Sequence, residues 1–289
     1  MLNAKKIEKA VTHYASHKDE SVRANLRAFA PALLKAAELR ARLDRPAPEW
    51  SDQEIKSAAL GRASLLSARA PEIDPGQFLE AAGEIAAALR GGLGPQESGA
   101  LEAVDFSAYA DASALQLAAR DPMAWLAEVE EKAAGLPALD SYVLPVLGLT
   151  LRVFLEAAAD AASRRIDPLI RDYAHHNRPL RCPVCGSEAA VACVAETQSN
   201  GSVKRLYCTC CGADWLFERI RCAHCGTQVV SDLSYVHDEA DEEHRLHLCR
   251  HCGSAFPTVF SKDSERFTPE VEEIVMSGLE AFYAGQPRR

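Results

Sequence analysis

Ten cysteines lie between residues 182 and 252, and none precedes them. Eight of them form four C-x-x-C-G motifs, at residues 182–186, 208–212, 222–226 and 249–253. Two intervening residues let a tight turn aim both sulfurs at one point, and the glycine that follows takes a backbone conformation costly for other residues. Such a turn also directs backbone N–H groups toward the sulfurs, which offsets thiolate charge. One knuckle of this kind supplies half of a tetrahedral metal site, and two complete a four-cysteine set. Zinc and mononuclear iron both suit four thiolates, so the spacing predicts two metal ions and leaves iron or zinc open.

The motifs repeat as a tandem unit. Cys182 to Cys222 is 40 residues and Cys208 to Cys249 is 41, with the same order of knuckle, strand-rich segment and knuckle in each. Duplication favours sequential pairing: Cys182, Cys185, Cys208 and Cys211 as site one, Cys222, Cys225, Cys249 and Cys252 as site two. The rival is a cross-brace that alternates knuckles between sites. Catalytic dithiols of the thioredoxin type use one C-x-x-C between a strand and a helix, which four duplicated knuckles do not resemble. Cys193, in the apolar stretch 189–195, reads as a small buried hydrophobe. Cys210, between two expected ligands, is expected at the surface and oxidisable. His224 and His251 sit inside knuckles with His237, His244 and His247 nearby, but complete four-cysteine sets leave them no place as ligands. The acidic run 237–244 reads as a solvated hairpin tip, and Trp215 as core of the small module.

Residues 1–177 must form the frame that carries this module. They are rich in Ala, Leu, Arg and Glu, the composition of helices. Asp121 with Pro122 and Asp74 with Pro75 read as N-caps followed by proline at the first helical position; Gly135 and the Gly91–Gly92 pair read as stops. Six to eight helices are expected. Pro31 should kink or split one of them, and the last should run from about Asp140 to about Ala174, in two pieces around Pro168. His175 and His176 are expected to mark a hinge. From residue 178 the texture turns to Val, Thr and aromatics, with strands predicted around 189–194, 202–207 and 214–220. Thr268 and Pro269 then open a C-terminal helix. The fold class is α+β: a helical domain (1–177), two small β modules (178–218 and 219–262), and a C-terminal helix and tail (263–289). Each module has little core of its own, so losing one ligand such as Cys182 is expected to unfold its unit and leave the helices intact.

The function classes narrow from charge and motif. Net charge is −9, and residues 178–262 hold nine Lys/Arg against ten Asp/Glu, with no basic stripe for phosphate. A nucleic-acid-binding zinc ribbon is therefore disfavoured. The most apolar stretch, 141–151, is too short to span a bilayer, which takes about 20 residues. The first twenty residues carry lysines with no apolar run behind them, which predicts no export signal and a cytoplasmic protein. Phosphate loops, H-E-x-x-H and Ser-His-Asp patterns are not found, and a closed four-thiolate site offers substrate no open position, so no enzyme is expected. A rubredoxin-like iron electron carrier survives these objections.

The helical region running into RCPVCGS, then RLYCTCCGADWLFERIRCAHCG, a fourth knuckle and a closing helix resembles the formate dehydrogenase accessory protein FdhE family. The resemblance is specific over about residues 181–260. It implies two rubredoxin-like metal modules behind a helical domain, with the family's C-x-x-C motifs falling on the eight cysteines paired above. It further implies a cytoplasmic assembly factor, or chaperone, that binds the catalytic subunit of respiratory formate dehydrogenase and supports its maturation before export. Two departures from the family pattern are the acidic hairpin at 235–249 and the segment SAFPTVF after the last knuckle.

Overall fold

The computed structural model describes residues 2–43, 46–135, 142–170, 177–197, 201–261, 263 and 266–285. Among these, nine α-helical segments precede the sheet: α1 (Ala4–Tyr14), α2 (Glu20–Arg42), α3 (Asp52–Ala59), α4 (Leu65–Ala68), α5 (Pro75–Arg90), α6 (Pro95–Glu102), α7 (Ala112–Arg120), α8 (Pro122–Lys132) and α9 (Leu144–Leu169). The count exceeds the expected six to eight partly because α4 is a single turn, too short to show a helical period in sequence. Local chemistry explains most helix starts. Asp74 accepts from the Gln77 N–H (2.8 Å) and Asp121 from the Ala124 N–H (3.1 Å), each with proline at the first position. Ser51 and Glu54 form a reciprocal capping box on α3.

Neither proline splits its helix. Pro31 sits inside α2, which continues unbroken for 23 residues. Pro168 lies in the last turn of α9 and ends it rather than splitting it. The expected outer limits of that helix, at Asp140 and Ala174, and the hinge histidines His175 and His176 lie outside the described residues. α9 is the central helix, with Val146, Leu147, Leu151, Phe154, Leu155, Ala158 and Ile166 buried. Phe78 packs between Trp125 (5.9 Å, edge-on) and Phe154 (5.6 Å). Full burial of a Phe side chain is worth roughly 1.5–3 kcal/mol, so this trio anchors the bundle. None of the described helices is long and apolar enough to cross a membrane.

One six-stranded sheet follows, in the order β3-β2-β1-β6-β5-β4. Its strands are β1 (Val191–Thr197), β2 (Gly201–Tyr207), β3 (Asp214–Phe217), β4 (Leu233–Val236), β5 (His244–Cys249) and β6 (Ala255–Phe260). Each half is a three-stranded antiparallel unit, β1–β3 and β4–β6, as the duplication implies. The halves join through a short parallel pairing of β1 with β6, in which Cys193 faces Val259. The two units thus share one sheet. Helix α10 (Pro269–Ala284) then returns to pack on α1, α2 and the sheet.

The acidic run 237–244 is more than a solvated tip. His244 is buried; its Nδ1 meets Asp241 (2.7 Å) and its Nε2 meets Glu272 of α10 (3.0 Å). Tyr14 of α1 donates its hydroxyl proton to the same Glu272 (2.9 Å), and Arg266 pairs with Glu243 (2.5 Å) and reaches the Tyr14 oxygen (3.3 Å). Burial works against charge on His244, but hydrogen bonds and charges from Asp241 and Glu272 raise it to about 9. The folded value lies above the unfolded one of about 6.5, so its contribution is complete below pH 6.5 and lost as pH rises through 9. We expect a loss on the order of 3 kcal/mol across that window. His244→Gln should flatten it, read as the denaturant midpoint at pH 7.5 against pH 9.5. His247, pushed down to about 4 by burial and by Lys204 and Arg245, is neutral in both states over that range. An unchanged slope in the variant would refute the assignment.

Candidate metal centres

The eight motif cysteines gather into two clusters, and the grouping is sequential rather than cross-braced. Cys182, Cys185, Cys208 and Cys211 form one, and Cys222, Cys225, Cys249 and Cys252 the other, with all sulfurs of a cluster within 4.8 Å of one another. In site one, Cys182 and Cys211 sulfurs are 3.6 Å apart and those of Cys185 and Cys208 3.5 Å. In site two, the Cys222–Cys252 and Cys225–Cys249 separations are both 3.8 Å. A tetrahedral ion with metal–sulfur bonds of about 2.3 Å places its ligands about 3.8 Å apart, whereas a disulfide brings sulfurs to about 2.05 Å. The donor set and its spacing fit one tetrahedral ion per cluster, and each cluster could hold one.

The knuckles are built alike. In every one the glycine N–H donates to the carbonyl of the first cysteine, at 2.9, 2.8, 3.1 and 2.8 Å for Gly186, Gly212, Gly226 and Gly253. All four glycines have φ between +74° and +92°. The Cys185 and Cys225 amides point at the Cys182 and Cys222 sulfurs, each at 3.5 Å. Ser187 lies 3.3 Å from the Cys185 sulfur and Ser254 3.0 Å from that of Cys252. Cys185 is held down to about 6, chiefly by its hydrogen bond with Cys182, and Cys208 lies well below the ordinary thiol value for the same kind of reason. Burial pushes Cys182 and Cys211 well above the ordinary thiol value, so two of the four sulfurs hold their protons until a cation displaces them.

The two sites differ in setting. All four ligands of site one are buried, whereas Cys225 and Cys252 of site two lie at the surface. Site one belongs to the same continuous core as the helices. The Leu65 and Leu66 amides at the start of α4, which have no partner within their own turn, donate to Pro183 (3.0 Å) and Val184 (2.9 Å) of the first knuckle. Arg152 of α9, 2 % exposed, donates to the Cys208 (3.0 Å) and Thr209 (3.3 Å) carbonyls of the second. The same guanidinium pairs with Glu156 (2.7 Å) and with Glu270 of α10 (2.9 Å). A side chain at Gly212 would collide with it, so this glycine is fixed by space as well as by its positive φ. The expectation that the first unit could unfold and leave the helices intact therefore does not fit this packing. Sequence reading missed Arg152; an arginine on the apolar face of the most buried helix was the available signal.

The remaining residues sort differently from expectation in part. Cys193 is buried and pushed up to about 11 by burial, as a core thiol should be. Cys210 is half-buried against the main core instead of lying free at the surface. Trp215 is buried, and its indole N–H donates to the Pro179 carbonyl (3.0 Å). His224 is exposed with its ring edge-on to Phe256 (6.3 Å), and among the described residues no histidine belongs to either sulfur cluster.

No family model matches the chain. An FdhE homologue of Aquifex aeolicus is 27% identical over 99 residues, 34% of this chain and 35% of that protein. Homologues of Pectobacterium atrosepticum (26% over 94 residues; 32% and 29%) and Shewanella oneidensis (29% over 83 residues; 29% of this chain and 27% of that protein) are also similar. The crystal structure of the FdhE protein from Pseudomonas aeruginosa superposes with a TM-score of 0.64, covering 99% of this chain and 92% of that one. The chain is similar to these FdhE proteins and shares the fold of the Pseudomonas protein. Identity to the Pseudomonas FdhE protein is 17%, so that likeness speaks for the fold. The matched stretches span about a third of the curated FdhE relatives or less.

Proposed function

We propose that this chain is an accessory protein of formate dehydrogenase that binds the enzyme's catalytic subunit in the cytoplasm and supports its maturation before export. The observation that carries the reading is the pair of four-cysteine clusters, one locked into the helical core and one at the surface, in a chain similar to FdhE proteins. Cys182, Cys185, Cys208 and Cys211 would hold one ion, and Cys222, Cys225, Cys249 and Cys252 the other. Four sulfurs fill a tetrahedral ion's coordination, so the ions would stabilise loops or carry electrons rather than bind substrate. That is the ground for reading the chain as a binding protein without turnover. Deleting the gene should abolish respiratory formate dehydrogenase activity while the subunit polypeptide persists, and the two proteins should co-purify. Normal activity in a deletion strain without a paralogue sinks the proposal.

The metal content is testable on its own. Anaerobically purified protein should contain two ions per chain, with X-ray absorption showing only sulfur neighbours at about 2.3 Å. One ion per chain, or mainly nitrogen and oxygen neighbours, would exclude the assignment of two all-cysteine sites. Rubredoxin-like electron transfer is the second reading, and the surface position of Cys225 and Cys252 favours it, since a redox partner could approach them directly. It requires iron at site two and a reversible one-electron couple in voltammetry. A colourless, zinc-loaded protein isolated from its native cells removes that reading and leaves the accessory role.

A further inference from the structure

The duplication places two clusters of the same local construction under different cover. In both, a glycine amide closes each knuckle on the carbonyl of its first cysteine. Each set also has one serine hydroxyl beside a sulfur, Ser187 at Cys185 (3.3 Å) and Ser254 at Cys252 (3.0 Å). What differs is the second cysteine of each knuckle. In site one Cys185 and Cys211 are 3% and 0% exposed, with α4 bonded to the first knuckle and Arg152 to the second. In site two the equivalent Cys225 and Cys252 lie at the surface, while Cys222 and Cys249, the first of each knuckle, are buried. Among the described residues no α-helix amide bonds to the third or fourth knuckle as Leu65 and Leu66 do to the first.

Four sulfurs leave no vacant position on a tetrahedral ion, so exchange begins only when one sulfur gives way. A buried sulfur gives way when the structure over it opens, and for a ligand set continuous with the main core that approaches unfolding of the whole chain. An exposed sulfur needs only a local displacement, with the incoming ligand already in contact. Thiols are the competitors that match a soft thiolate site; carboxylates and water are not. The twin sites thus differ in one variable, the access of an outside ligand to the second cysteine of each knuckle.

We propose that site two is an exchange site, in which Cys225 and Cys252 yield to thiol ligands from outside. The outer unit then gives up and regains its ion while the chain stays folded, and site one keeps its own for as long as the fold lasts. Cys222 and Cys249 remain as the anchoring pair, and the buried Lys204 ammonium of β2 faces the Cys222 charge. Each incoming thiol leaves its proton on the sulfur that it displaces, so charge balances and nothing is oxidised or reduced. The inference rests on one ion in each cluster and not on the role with formate dehydrogenase.

The probe is dimercaptopropanol, a small dithiol, added in excess to the full chain loaded with two zinc ions. Ions per chain are counted over time by native mass spectrometry. One ion should leave at least about a hundredfold faster than the other, at a rate that rises with dithiol concentration. In the one-ion form, hydrogen exchange should find the Gly226 and Gly253 amides deprotected and those of Gly186, Gly212, Leu65 and Leu66 unchanged. Added zinc should restore the protection. The slow step should ignore the dithiol and match the rate at which near-ultraviolet dichroism is lost. Ser254→Ala removes the hydroxyl beside Cys252 without touching a ligand, and should speed the fast step about threefold or more while sparing the slow one. The proposal is overturned if both ions leave together, or if the faster loss deprotects Gly186 and Gly212. It is equally overturned if the fast rate ignores the dithiol, since the unit would then unfold before any ligand arrives. An unchanged fast rate in Ser254→Ala would remove Cys252 as a yielding ligand. Fewer than two ions at the outset would sink the proposal together with the metal assignment. None of these outcomes bears on co-purification with the formate dehydrogenase subunit, so either reading can fail while the other stands.

Discussion

Cys211→Ser should destabilise the whole protein, whereas Cys252→Ser should loosen only the outer unit. Both remove one ligand from a set of four cysteines, and by sequence the two changes are equivalent. Their surroundings are not. Site one shares its core with the helices and fixes the carbonyls that satisfy α4 and Arg152. Structural metal sites can contribute on the order of 10 kcal/mol to small domains, and even half of that is comparable to a domain's total stability. We expect Cys211→Ser to lower Tm by at least about 10 °C, taking 2–4 °C per kcal/mol for a chain of this size class. Near-ultraviolet dichroism should lose the signals of both Trp215 and the helical Trp125, which are each buried. Cys252→Ser should shift Tm by only a few degrees and leave those signals in place. Equal shifts in the two variants would remove the distinction between an embedded and a peripheral site.

Arg152→Met carries the second large effect. The guanidinium is buried with Glu156 and Glu270 on either side, and Arg40 lies 3.4 Å from the other Glu156 oxygen. Two cations and two carboxylates thus balance in the protein interior. Removing one partner of a buried pair leaves an uncompensated charge, at a cost of about 3–5 kcal/mol. Burial alone would lower the arginine's proton affinity, but Glu270 and Glu156 raise it overall, so the cation persists at any working pH. Adding Glu270→Gln should recover part of the loss. A cost below about 1 kcal/mol, the range of exposed pairs, would show that the network is not holding α9, α10 and the second knuckle together.

The two sulfur clusters were almost wholly legible in the sequence, because a C-x-x-C-G turn carries its own geometry. Cys182 and Cys185 need only local backbone to meet, and the equal spacing of the two halves gave the grouping. What joins those turns to everything else is non-local and left little trace. Val191 and Val259 read as ordinary strand residues, and nothing in either segment announces that β1 and β6 run side by side in parallel. His244 looked like part of a solvated acidic tip because its partners, Tyr14 and Glu272, lie 230 and 28 residues away. Cys210 looked exposed because a residue between two ligands usually points outward; here the helical core covers it. Proline in α2 misled in the opposite direction. Tertiary packing along the buried face of that helix, including Leu26, Ala30 and Leu33, outweighs one lost hydrogen bond.

The clasp between Tyr14 and Glu272 also sets an order of events during synthesis. α1 emerges from the ribosome early, yet the carboxylate that accepts its tyrosine proton sits on α10, 258 residues later. Helices α2 to α9 can collapse locally as they appear, and each pair of knuckles can close within about thirty residues. Throughout this time α1, already packed on α2, and part of α2 lack the α10 surface that they also meet. The nascent chain therefore leaves Tyr14 and the α10-facing part of α2 uncovered until α10 is released. A tether that holds α10 at the exit tunnel should leave the first helix open to proteases, and releasing the tether should close it in one step.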